Sequence, residues 1–133
     1  MEHIRIKKAR KLLIYISICG FSAESNGYIY AGGNDPNQVS WNDNNAGGKT
    51  HPVGGKASNE LDLYDMSGNV WEWCEDWFKP YPGCKGRDYT GSYRVIRGGS
   101  WSNDPQYCRV ADRHGRAPGL RNDHLGFRLA RTN

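Results

Sequence analysis

The chain has 133 residues, 17 of them Gly, with 5 Trp and 8 Tyr, and hydrophobic residues make up only 37%. That length holds one domain at most. So much Gly excludes a helical bundle, because Gly weakens helix interiors, and points to aromatic anchors held by irregular loops. The formal net charge is +4, yet the basic residues are spread through turns near the two ends, with no basic helix and no reader motif, so nucleic acid is not expected as a partner.

Residues 1–23 read like a secretory signal. Lys7, Lys8, Arg10 and Lys11 precede an apolar run, Leu12 to Phe21, and Ser22-Ala23 supplies small residues near a possible cut. The run is too short to cross a bilayer. A genuine signal implies a secreted or cell-envelope location, and otherwise a cytoplasmic one. Membrane anchoring would require lipidation of Cys19, and Ile18 before it is bulky where a small residue is wanted. Residues 24–133 form the candidate domain.

In chain order, Tyr28-Ile29-Tyr30 is expected as a short strand and Gly32 to Asn37 as turn chemistry. Trp41 is an isolated anchor, and Asn42 to Lys49 is a loop. Thr50 to Val53 is extended, because a residue before Pro avoids helical geometry. Asn59 to Tyr64 places Leu61 and Leu63 between polar residues. Ser67-Gly68-Asn69 is a turn. The next segment, Val70 to Phe78, alternates Trp71, Trp73 and Trp77 with polar residues and predicts a half-buried strand, ended by Pro80 and Pro82-Gly83. Tyr93 to Ile96, Arg109 to Ala111 and Leu125 to Leu129 are further strands. No long helix and no repeat is visible.

Among the 4 cysteines, Cys19, Cys74, Cys84 and Cys108, there is no CxxC pair, so a structural zinc site is not expected. Cys74 and Cys108 are read as buried thiols or a disulfide. His51, His114 and His124 fall in separate loops and read as surface residues. Ser100 has no His at a recognisable spacing, so no nucleophilic triad is visible.

Four segments are specific when taken together: Asn59 to Trp73, with Gly68-Asn69-Val70-Trp71-Glu72-Trp73 at its end; Arg97-Gly98-Gly99-Ser100-Trp101; Cys108 to Arg113; and Gly126-Phe127-Arg128-Leu129. In that order and spacing, over roughly residues 27–131, the chain resembles the formylglycine-generating enzyme, or sulfatase-modifying factor, family. The resemblance implies an α+β, C-type-lectin-like fold with little regular structure, antiparallel strands and long loops. The reading from composition agrees but does not name the fold.

The resemblance also implies a structural calcium at the tight turn, held by the side chains of Asp65 and Glu72 and the carbonyls of Gly68 and Val70, all hard oxygen donors. The alternative is that Asp65 and Glu72 pair with arginines. Related oxidases bind copper(I) through two cysteines beyond the Arg-Gly-Gly-Ser motif, as suits a soft ion. Here the second matches Cys108, but Asn103 stands in place of the first, so copper and the full oxidase mechanism are not expected. Trp71, Ser100 and Tyr107 match positions lining the family's peptide cleft, while Trp71 reads equally as core.

Between Trp101 and His124, structural-looking residues alternate with Ser102, Asn103, Asp104, Tyr107, Asp112, His114, Gly115, Gly119, Leu120, Asp123 and His124. The pattern is similar to the variable region of retroelement-diversified proteins, which display exchangeable side chains on the same scaffold. Such residue types make adaptable binding surfaces. An ordinary solvent loop is the plainer alternative. The leading expectation is therefore a non-catalytic module for a protein or peptide ligand. The alternative is a divergent or truncated oxidoreductase of the sulfatase-activating type using Cys108. The family's usual N-terminal half is not matched here, so residues 1 to about 20 are either a true signal or the mark of a truncated gene. In the second case, burial is marginal and bound calcium would matter for stability.

Overall fold

The computed structural model describes residues 26–81 and 91–129. The expectations for the signal-like segment with Cys19, for Pro82-Gly83 and for Cys84 lie outside the described residues. Among the described residues the arrangement is α+β: two single-turn helices, two small sheets and long connecting turns.

Both helical turns begin with the same pair of residues. Asp35 accepts the Asn37 N–H at 2.9 Å, and Pro36 opens α1 (Pro36–Val39). Asp104 accepts the Gln106 N–H at 2.9 Å, and Pro105 opens a 3-10 helix (Pro105–Cys108). Asp satisfies an N–H that the helix start leaves free, and Pro lacks the one that would be wasted. The turn expected at Gly32 to Asn37 thus runs into a helix, and the 3-10 helix precedes the strand expected at Arg109 to Ala111.

β1 (Ser40–Trp41) pairs in parallel with β2 (Ser67–Gly68). Gly68 has φ +77, and a Cβ there would lie 2.7 Å from the Trp41 nitrogen. No side chain fits that approach. The second sheet has the order β5-β4-β3-β6, from β3 (Trp71–Trp77), β4 (Arg94–Arg97), β5 (His114–Arg116) and β6 (Leu125–Gly126). β3–β4 and β4–β5 are antiparallel, whereas β3–β6 is parallel. The register slips between Trp73 and Trp77. The expected alternation is corrected: burial falls along β3, with Trp71 buried, Glu72 to Cys74 half-buried and Glu75 to Trp77 exposed, Trp77 at 41%.

Three expected strands are corrected. Tyr28 to Tyr30 makes only a bridge, with the Tyr30 N–H on the Gly33 carbonyl at 3.0 Å. Arg109 to Ala111 is a turn, closed by Asp112 N–H to the Arg109 carbonyl at 3.0 Å, and the strand comes later, at His114. Leu125 to Leu129 shortens to two residues, leaving Phe127 and Leu129 exposed.

The core is small and unusually polar. Val39, Trp71, Val95, Ile96 and Cys108 are buried beside Ser40, Asn42, Ser67 and Ser100. These polar groups are tolerated because they are bonded. Asn42 Nδ2 donates to Ser40 Oγ at 2.9 Å, Ser40 Oγ donates to the Pro36 carbonyl at 2.7 Å, and Ser67 Oγ accepts the Ala31 N–H at 3.1 Å.

Candidate functional site

The first turn of β3 and the loop after β4 meet at Asn103. Its Oδ1 accepts from the Trp71 indole at 2.8 Å and from Ser100 Oγ at 2.6 Å. Its N–H bonds the Ser100 carbonyl at 3.0 Å, and its carbonyl accepts the Asp43 N–H at 3.0 Å. Asn103 is therefore a bracket that ties three segments together. Ser100 is fully buried and shares its hydroxyl with Ser102 Oγ at 3.1 Å. Trp71 is part of the core.

Around this bracket stand the aromatic rings. His114 meets Trp71 edge-on, with centroids 5.1 Å apart, and Tyr107 at 5.7 Å. His114 Nε2 lies 3.3 Å from Asp112 Oδ2. The distance is that of an ion pair, but Oδ2 makes no hydrogen bond and is buried. It is an acceptor held without a donor, which costs free energy unless something polar reaches it. His51, by contrast, belongs to another cluster: it stacks on Trp41 at 3.8 Å, a contact that sequence reading missed.

The structure thus gathers Ser102, Asn103, Tyr107, Asp112 and His114 about Trp71. Asp123 and His124 adjoin them, since the Trp71 N–H bonds the His124 carbonyl at 2.9 Å and Asp123 Oδ1 is 3.1 Å from His124 Nδ1. Gly119 and Leu120 lie in an exposed turn closed by Leu120 N–H to the Ala117 carbonyl. Asp104 is a helix cap. Gly115 packs on Phe78, whose Cγ would stand 2.9 Å from any Cβ added there. Three of the display positions, Asn103, Asp104 and Gly115, are therefore fixed by structural contacts.

Cys108 ends the 3-10 helix fully buried, against Gly99, where an added Cβ would lie 2.6 Å from its sulfur. Burial pushes its thiol up to about 12, with the carboxylates of Asp112, Asp43 and Asp104 adding to the effect. Cys74, half-buried on β3, is pushed up to about 11 by burial against the opposing pull of Arg97. Both are free thiols. Metal ligation and nucleophilic attack need thiolates, and both environments favour the protonated form.

The turn before β3 carries the expected calcium donors. Asp65, Gly68 and Asn69 all have positive φ, at 55, 77 and 66. Asp65 Oδ2 accepts the Gly54 N–H at 2.7 Å, while its buried Oδ1 has no partner. Glu72 is gripped by Arg128, at 2.6 Å from Nε and 2.5 Å from Nη2, and that guanidinium also reaches the carbonyls of Tyr64 and Asp65. Desolvation raises the Glu72 carboxyl despite Arg128. The sequence left arginine pairing open as an alternative, and at Glu72 it is realised. Asp65 Oδ1 is left without a partner among the described residues, whereas Arg128 takes both Glu72 oxygens.

The class is that of a loop-rich α+β domain in which Asn103 ties buried Trp71 and Ser100 together. The model of the sulfatase-modifying factor enzyme 1-like domain matches residues 20–133. The chain belongs to that family. It is 39% identical over 97 residues to the serine/threonine-protein kinase pkn1 of Chlamydia caviae, covering 62% of this chain and 15% of that protein. It is 42% identical over 96 residues to the formylglycine-generating enzyme of Streptomyces coelicolor, covering 61% and 29%. Among solved structures it is similar to Treponema denticola variable protein 1, with TM-score 0.69 and 40% identity over 79% of this chain and 42% of that one. The chain thus spans well under half of each.

Proposed function

We propose that the chain is a non-catalytic display module that binds a protein or peptide ligand on the surface around Trp71, Tyr107 and His114. The observation that carries the reading is Asn103: the position where the oxidase chemistry wants a second thiol holds an amide whose oxygen is already bonded to Trp71 and Ser100. Likeness to a variable protein supports the same reading. So does the exposure of Ser102, Leu120 and Asp123 at the surface. The finer parts belong to the proposal too: a lectin-like scaffold, diversification by a neighbouring retroelement, and a structural calcium held by Asp65, Glu72 and the carbonyls of Gly68 and Val70.

One experiment tests scaffold and display together. Ser102, Leu120 and Asp123 are randomised in the full chain, and the variants are melted with and without calcium. The reading expects most variants to melt cooperatively, within about 1 kcal/mol of the parent, and calcium to raise every midpoint. A library in which most members fail to fold would contradict the display reading. A midpoint indifferent to calcium would remove the cation.

A further inference from the structure

Outside the cleft, one face of the second sheet carries an unbalanced charge row. Trp77 pairs with Arg94 across β3 and β4, and Arg94 pairs with Arg116 across β4 and β5. Residues directly opposite on antiparallel strands share a face, and like charges there are destabilising. Among the described residues neither guanidinium has a carboxylate partner; Arg94 lies over Trp77 at 3.7 Å and bonds the Glu75 carbonyl, and Arg116 bonds the Gly115 carbonyl at 3.0 Å. Glu75 and Asp76 are exposed on β3 but pair with neither. Among the described residues Arg116 therefore has no carboxylate partner, and its fork is shaped to take one.

β5 is also the outer strand in the order β5-β4-β3-β6. Arg116 guards that edge against a neutral or basic strand. The same charge admits a strand that brings a carboxylate opposite it. We infer that the β5 edge is a docking strand for an extended acidic peptide of a partner protein, which adds to the sheet and sets a carboxylate opposite Arg116. Such addition draws affinity from the backbone and selectivity from alternate side chains. A single-stranded nucleic acid fits less well, because it needs open ring faces for stacking and the guanidinium of Arg94 covers a face of Trp77. The inference rests on the display reading, because β5 carries the display positions His114 and Gly115, and it names the chemistry of the partner.

The test uses the full chain and three fluorescent probes: a peptide alternating Glu and Thr, its Lys counterpart, and an oligo-dT strand. The acidic peptide is expected to bind, more weakly as salt rises. Arg116→Glu is expected to weaken it about tenfold and to favour the Lys peptide instead, while Arg116→Lys costs less because it keeps charge without the fork. Arg116 is exposed, and unchanged melting of both variants establishes that the fold is intact. The inference is overturned if the acidic peptide does not bind, if both peptides bind alike, if Arg116→Glu leaves affinity unchanged, or if oligo-dT binds best through the same residues.

Discussion

Between Ser40 and Asn69 six polar side chains are buried, Ser40, Asn42, Asn59, Asp65, Ser67 and Asn69; between Ser102 and His124 none is. In the first region Asn42, buried with no exposed surface, bonds Ser40 and the Asn44 N–H, and Asn69 exchanges both amide bonds with the His51 backbone. These side chains stand in for a sheet ladder, so each position admits one residue type. In the second region the backbone is held by Asn103, Asp104 and Cys108, and Ser102, Leu120 and Asp123 are left at the surface. The contrast shows how a small domain with little regular structure can keep its shape while its surface varies.

Substitutions should break the two regions unequally. The largest effect is expected at Gly68→Ala, where positive φ and the close approach of Trp41 leave no room. A loss of about 3 kcal/mol or more, or failure to fold, should appear in urea melts. Next comes Cys108, the buried anchor of the second region. The Cys108 thiol is raised from its ordinary 9.0 to about 12. Below 9.0 it is protonated in both folded and unfolded chains. Above that, the unfolded chain releases the proton first, so stability should fall by roughly 1.4 kcal/mol per pH unit as pH climbs. Melts across this alkaline window should be flatter for Cys108→Ala, though its midpoint is lower throughout. The smallest effect is expected at Leu120→Ser, within about 0.5 kcal/mol of the parent. A larger loss there would mean that the outer region is also structural.

Much of this organisation was legible in the sequence, and the failures have physical causes. The β3 strand announced itself by alternating Trp residues, and β4 by its apolar pair before Gly98-Gly99. Both helical turns carried an Asp-Pro start signal, at Asp35-Pro36 and Asp104-Pro105, but neither has the apolar periodicity that marks a longer helix. The strand expected at Arg109 to Ala111 failed because Cys108, not Val110, is the buried anchor, so the chain turns before it pairs. In the site, the matched motifs named Trp71, Ser100 and Asn103. They did not reveal that one amide oxygen joins all three, or that Arg128 holds Glu72, because those contacts depend on how segments far apart in the chain are brought together.

The central claim is that Asn103 stands where a thiolate beside Cys108 would be needed and that no two-thiolate metal site is formed among the described residues, and titrating the reduced full chain with copper(I) tests it most directly. The expected result is no tight one-to-one complex, and the same weak response from Cys108→Ser. Stoichiometric tight binding by the parent, abolished in Cys108→Ser, would contradict the claim and restore the oxidase reading.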